Sequence, residues 1–404
     1  MQNLKIRFQL HDLLFFLLLV LSFYFTRNMM CRVMMVLFFG YTVFRQMASN
    51  RKAPIPFFYA GFLVFILYGA MNIFFGNVID SGVARTMVIS LFLNLLMIYA
   101  IVQYIYMQDD IQKTLTITEL GIFTTAFVVV LLSLKTITSG RLGGGTEINA
   151  NVLSILCVYG FILCLYLRKI GKLTRQAYLL RLGFYFISVL LTGSRKGLIM
   201  IFLASMIIAF FNNKKKALRI AVVGLASAVA TYVAIMNIGF LYDIIGVRIE
   251  NMLIYLVKGT ATEGSLLSRL ELVDIAKPYI ERKPWTGYGF DCFKTVSGVG
   301  GSGKVGAGEF GYYAHNNYIE LLFGGGIIGL VLYYIPMVYL LKKLFKKTKV
   351  DRAIPYLLAL FIAKLAIEYA YVSYYERVDA YIVAVILGCV LICKKSADAE
   401  AELK

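Results

Sequence analysis

Three short stretches of this 404-residue chain hold side chains suited to gripping an anion and moving a proton beside it. In LLTGSRKGLIMIF, Arg195 and Lys196 follow Ser194 and interrupt an otherwise nearly continuous apolar run. Cations at a membrane boundary are costly unless they are paired or face an anionic ligand. The planar donors of arginine can hold two oxygens of a diphosphate at once. The bland alternative is a short turn whose cations sit at lipid headgroups. In SLLSRLELV, Arg269 is either a second anion ligand or a face charge paired with Glu271 or Asp274. Lys277, Arg282 and Lys283 extend its basic strip, which as a group suits an anionic substrate. In YAHNNYIELLFGGGIIGLVLYYI, His315 is one of only two histidines, the other being His11. An imidazole there can take a proton near neutral pH, and Glu320 follows five residues on, so His315 is a candidate general base. Its alternative role is a polar helix cap shared with Asn316 or Asn317.

The elements that must carry these residues are membrane helices. With 60% hydrophobic residues, a mean hydropathy of +0.76 and apolar runs of about 17 to 24 residues, the chain reads as an all-α polytopic membrane protein. Long runs without period-two alternation argue against a barrel. About twelve transmembrane helices are expected, near 10–26, 29–47, 56–75, 84–106, 117–137, 149–167, 178–193, 197–211, 218–237, 317–341, 354–373 and 379–393. The net charge of +19 is carried by short clusters between these runs, where it acts as a topology signal rather than a nucleic-acid surface. Arg51-Lys52, the Arg168 to Arg181 cluster, Lys214 to Arg219, the Lys342 to Arg352 cluster and Lys394-Lys395 all fall on one side. The other side has only the loop of Asp80 and Arg85, the loop around Arg141 and the turn at Glu376-Arg377. Both termini are therefore expected in the cytoplasm, and the basic start at Lys5 and Arg7 is read as leading into a first helix rather than a removed signal.

This orientation divides the chain into a bundle of spans 1–9 over residues 1–237, one long extracytoplasmic loop over 238–316, and spans 10–12 with a cytoplasmic tail over 317–404. Within the loop, Leu266 to Glu281 has the apolar spacing of an amphipathic helix, with Ser265 to cap it and Pro278 to bend or end it. KPWTGYGFDCF supplies turns, and the glycine-rich 297–311 reads as a flexible flap. Gly324-Gly325-Gly326 lies in an apolar span, so it reads as close helix packing or a kink. Lys364 and Glu368, four apart, are expected to pair within the eleventh span, as structural glue or as part of a transport path. Tyr369, Tyr371, Tyr374, Tyr375 and Tyr381 form either an aromatic belt or a sugar-stacking surface. The six cysteines give no disulfide framework or zinc spacing, and neither a Walker loop nor a DxD-like acidic pair is present, so no metal and no cofactor is expected.

Taken in order, LLTGSRKGLI, SRLELVDIAKPYIERKPWTGYGF and AHNNYIELLFGGGIIGLVLYY resemble the O-antigen ligase and Wzy polysaccharide polymerase superfamily. The resemblance spans about 190–335 by motif and the remainder by topology. It implies a metal-independent glycosyltransferase of the membrane (GT-C-like) type, in the cytoplasmic membrane of a bacterium, with its site on the extracytoplasmic face. The implied substrate is an undecaprenyl-diphosphate-linked oligosaccharide, with a chain-length regulator and a flippase as pathway partners. Arg195 and Arg269 would bind the diphosphate, His315 would deprotonate the acceptor hydroxyl, and Lys196, Asn316 and Glu320 would serve anion binding, loop positioning and orientation of the histidine. The expected activity is repeat-unit polymerisation. A glycan ligase using the same donor is the alternative, and a transporter or lipid-linked glycan flippase is the reading from another class.

Overall fold

The computed structural model describes residues 8–25, 28–49, 53–134, 141–143, 146–212, 214–259, 264–298 and 311–402. The described residues form helices joined by short turns, with no strand among them. The N-terminal half contains α1 (Leu10–Tyr24), α2 (Met29–Ser49), α3 (Phe57–Phe74), α4 (Ser81–Gln108), α5 (Ile111–Ser133) and α6 (Ala150–Lys169). It is followed by α7 (Arg175–Leu191), α8 (Arg195–Asn212) and α9 (Lys214–Asn237). The short α10 (Gly239–Leu241) and a π-helical turn at Tyr242–Gly246 lead into α11 (Val247–Lys258) and α12 (Gly264–Arg282). The chain closes with α13 (Asn317–Lys347), α14 (Ile354–Ile367) and α15 (Arg377–Glu402).

Local chemistry fixes many of these boundaries. Asp80, Asp110, Asn149, Thr174 and Asn316 each accept backbone N–H groups at the start of α4, α5, α6, α7 and α13. Each apolar segment expected from the sequence is helical over most of its described residues, and six helices among the described residues are long and apolar enough to cross a membrane: α3, α4, α5, α6, α8 and α13. A seventh candidate is a bent pair, Val222–Asn237 with Gly239–Lys258, which turns through 100°. The α6 helix is the buried centre, with Leu153, Leu156, Tyr159, Ile162 and Leu163 all fully enclosed. Around it α7, α8, α5 and α14 pack, while α4 lies along α15 and α3 along α13. Large apolar side chains on the periphery, such as Val36, Phe74 and Leu180, are exposed, as lipid-facing positions require.

Several buried charges within the bundle are paired. Asp12 is held by Lys113 at 2.6 Å, Tyr104 at 2.9 Å and Gln108 at 3.0 Å. Glu119 takes Arg181 and the Tyr185 hydroxyl. The Lys364–Glu368 pair is fully enclosed and continues outward: Lys364 donates to the Tyr333 hydroxyl at 2.9 Å, and the Ser373 and Tyr334 hydroxyls donate to Glu368.

Several expectations are revised by the fold. The α12 helix begins at Gly264, one residue before Ser265, and runs through Pro278 to Arg282. Proline is tolerated there because Pro278 and Asp274, whose carbonyl loses its usual donor, are both exposed to water. Tyr371, Tyr374 and Tyr381 are buried core residues rather than sugar platforms. The glycine-rich flap falls mostly on 299–310, outside the described residues, as do Lys5, Arg7, Arg51 and Lys52.

The run Gly324-Gly325-Gly326 does more than kink α13. At Gly326, φ is 61° and ψ −165°, a conformation that leaves the helix, and a Cβ there would lie 2.3 Å from the Trp285 carbonyl. The turn at 284–289 inserts into this break. Tyr288 and Gly289 donate their N–H groups to the Phe323 and Gly324 carbonyls at 2.8 Å each, and Ile327 donates to the Pro284 carbonyl at 2.8 Å. The Tyr68 hydroxyl donates to the Gly325 carbonyl, also at 2.8 Å. Backbone groups freed by the break are thereby satisfied within the protein, the condition for non-helical backbone in a membrane-embedded helix.

Candidate active site

A cavity of about 470 Å³ opens where the starts of α8 and α13 meet α11 and α12. It gathers five of the six sequence-derived candidates, Arg195, Lys196, Arg269, His315 and Asn316, from three separate stretches of the chain. It also takes in Arg141 and Arg248. Among the described residues lining it there is no Asp or Glu, so its charge is one-sided. Ile199 and Met200 continue the cavity down α8, while Met252 and Leu256 of α11 supply a further apolar wall.

The α8 edge of the cavity is built by a tight turn. Gly193 has φ of 62°, and a Cβ there would lie 2.6 Å from the Ile244 carbonyl oxygen, so the turn from α7 closes only with glycine. Arg141 clamps the same turn from the loop before α6, donating from Nε to the Thr192 carbonyl at 2.6 Å. Arg195 donates to the backbone carbonyl of Arg248 and so ties α8 to α11. The Lys196 ammonium donates to the Ala370 carbonyl at 3.1 Å and lies 5.2 Å from the centre of the Tyr371 ring.

His315 is held by its neighbours rather than by its own side chain. The Glu320 carboxylate accepts the N–H of Ala314 at 2.7 Å, and Asn316 caps α13 by accepting from Tyr318 at 2.9 Å and Ile319 at 3.2 Å. Asn317 accepts from the N–H groups of Ser373 at 3.0 Å and Tyr374 at 3.1 Å, which anchors this corner to the segment after α14. Between these pins His315 adopts φ of 52°, an uncommon backbone state for a residue with a side chain. Its ring packs against Tyr313, with centroids 4.1 Å apart. Burial, and then the positive charges of Arg269 and Lys196, lower the His315 pKa to about 4, so the imidazole is neutral at physiological pH. Burial also pushes the neighbouring Tyr313 hydroxyl up to about 12, and it stays protonated.

Glu320 is the candidate that the cavity does not include: it is enclosed, and it reaches His315 through the Ala314 backbone. Lys277, Arg282 and Lys283 also lie off the lining, Lys283 resting 5.0 Å from the Tyr288 ring centre. Exposed Tyr369 is the member of the tyrosine group that reaches the cavity. In the sequence Arg141 reads only as a loop charge, and Arg248 does not stand out. The signal for Arg141 was present, an arginine among glycines on a sparsely charged side; Arg248 had no motif to mark it.

The fold and this cavity define a helical membrane protein with a cationic, histidine-bearing pocket. Residues 180–334 match the Wzy_C family, described as O-antigen ligase, a stretch that contains all six candidate residues. Over that stretch the chain is similar to the O-antigen ligase and Wzy polymerase superfamily, and the match, with the apolar helices, supports a membrane protein of glycan-processing type. No curated protein matches the chain.

Proposed function

We propose that the protein is a polysaccharide repeat-unit polymerase that transfers a glycan from undecaprenyl diphosphate to a sugar hydroxyl on the outer face of the cytoplasmic membrane. The observation that carries this reading is the convergence of Arg195, Arg269 and neutral His315 on one cavity with an apolar wall. In this reading the bundle has twelve spans and cytoplasmic termini, and residues 238–316 lie outside, with α11 and α12 covering the donor.

The chemistry follows from the charges. The acceptor hydroxyl attacks the anomeric carbon, its proton passes to the His315 imidazole, and the glycosidic bond forms as the bond to the diphosphate oxygen breaks. The charge that develops on the leaving diphosphate is met by Arg195 and Arg269, with Lys196 adding to the field. Guanidinium groups take the role a divalent cation has elsewhere, so transfer proceeds without metal, and the donor itself supplies the driving force. Donor binding also prepares the base. Its negative charge offsets Arg269 and Lys196, the groups that hold the histidine pKa down, and so raises the basicity of His315 only when a donor is present. Asn316 and Glu320 are positioning residues, acting through the helix cap and the Ala314 amide.

Purified protein given lipid-linked repeat units should elongate them without added metal or nucleotide, and Arg195→Ala and His315→Ala should abolish elongation while inserting normally. Full-length product from both variants would overturn the site assignment. Attachment of a finished glycan to a different acceptor, with no elongation, would make the protein a ligase. Movement of the lipid-linked glycan across vesicles with no new glycosidic bond would make it a flippase.

A further inference from the structure

Lys196 and the His315 corner are fastened to one short segment of chain. After α14, a helical turn at Glu368–Ala370 passes into extended backbone at Tyr371, and Tyr369 and Ala370 line the cavity. From one side the Lys196 ammonium donates to the Ala370 carbonyl at 3.1 Å. From the other, Asn317, two residues after His315, accepts the N–H groups of Ser373 and Tyr374. The same Asn317 side chain donates to the Tyr334 hydroxyl at 3.1 Å, which donates in turn to Glu368 at 2.8 Å. Glu368 also takes Lys364 and the Ser373 hydroxyl, so both ends of the segment close on one enclosed carboxylate. A buried ion pair seldom adds stability over well-packed apolar side chains, and what it can add is a single geometry.

We propose that residues 368–374 are a strap that sets the position of His315 against Lys196, with Asn317 as its clasp and the Lys364–Glu368 pair as its anchor. Asn317, Tyr334 and Glu368 are then positioning residues: none of them lines the cavity, and each acts on the imidazole through the strap. This rests on His315 as the base of the proposed transfer, and it gives the enclosed pair the work of aligning that base. Turnover therefore depends on side chains behind the cavity wall, because a base misplaced by about 1 Å loses much of its rate.

The test reads the histidine itself. The chain has two histidines, and His11, enclosed at the start of α1, is an internal control for an NMR pH titration of the full chain in detergent with isotope-labelled histidine. Wild-type His315 should titrate near its lowered value of about 4. Asn317→Leu removes all three side-chain hydrogen bonds, and Tyr334→Phe breaks the link to Glu368 without changing a charge. Each should move the His315 midpoint upward toward 6.5 and leave His11 in place, because a displaced imidazole loses the burial and the Arg269 and Lys196 charges that hold it down. Each should also lower kcat about tenfold or more. Asn317→Asp, which keeps an oxygen for both amides, should restore most of both readouts. If Asn317→Leu does not fold, Tyr334→Phe decides. A lowered melting temperature with the His315 midpoint and kcat unmoved would make the segment merely structural and overturn the strap. The midpoint is read without substrate, so a shifted midpoint in a protein that transfers no glycan keeps the strap and overturns the proposed transfer instead.

Discussion

The Glu320 carboxylate accepts the Ala314 amide at 2.7 Å, closing the chain around His315 and holding the histidine in a left-handed backbone state. The contact is made to the backbone, so its chemistry can be altered without touching the imidazole.

Glu320→Gln keeps an oxygen acceptor for that amide and should retain most activity. Glu320→Ala leaves a buried N–H without a partner, at a cost of about 1–3 kcal/mol. It should lower kcat by about tenfold or more, with little change in donor KM, because the arginines are untouched. Steady-state kinetics of the two variants measure the difference. Equal loss in both would mean that the carboxylate charge matters directly.

The pH profile should separate free and donor-bound enzyme. With the His315 pKa lowered to about 4 by burial and by Arg269 and Lys196, the acid limb of kcat/KM, which reports free enzyme, should lie well below the ordinary histidine value. The acid limb of kcat should lie at higher pH, since bound diphosphate offsets the cations. Stability follows the same sign. Unfolded His315 binds a proton below about 6.5 while the folded residue does not until about 4, so the folded state is favoured most above this window and loses that advantage as pH falls through it. Melting temperatures of wild type and His315→Asn from pH 4 to 7 should converge at the acid end. A kcat limb at or below the kcat/KM limb would contradict the donor-coupled base.

Gly193→Ala should damage the site from its edge. A Cβ would meet the Ile244 carbonyl oxygen at 2.6 Å in a backbone state that side chains rarely adopt. The expected cost is about 1–3 kcal/mol, read as a lower melting temperature together with raised KM for the donor, as the start of α8 shifts. Unchanged KM and melting temperature would mean that the turn can relax freely.

Lys364→Met should be among the most damaging single changes in the bundle, about 3–5 kcal/mol, because it strands Glu368 in an enclosed site. Lys364→Met with Glu368→Gln should recover much of that loss, a coupling a double-mutant cycle reads directly. Recovered stability with recovered turnover would mark the pair as glue, while recovered stability without turnover would mark it as part of the reaction's machinery.

How far the sequence carried depended on the range of the interaction. Hydropathy marks the long apolar helices, since burial of a continuous apolar run needs no knowledge of its neighbours, while α12 shows only in its amphipathic spacing. The three site stretches were legible as types at a boundary, polar residues where apolar ones would be cheaper. Pro278 does not end α12, because the local rule for proline ignores whether water can reach the orphaned carbonyl. The α11 helix lies inside the long segment expected as loop, although Ile249, Met252, Leu253 and Leu256 carry helical spacing. Arg248, contributed by that helix, was lost with it. The pairing of Tyr288 and Gly289 with Phe323 and Gly324 is a contact between backbones, on which side-chain patterns are silent.

That pairing also sets an order of events during synthesis. The broken helix α13 cannot satisfy its own carbonyls and amides at Gly326, and the turn that does so lies upstream, at 284–289. Residues nearer the N-terminus leave the ribosome first, so the partner is already made when the break emerges. The nascent α13 can thus enter the bundle with its interrupted backbone covered, provided that α12 and its turn have docked beforehand.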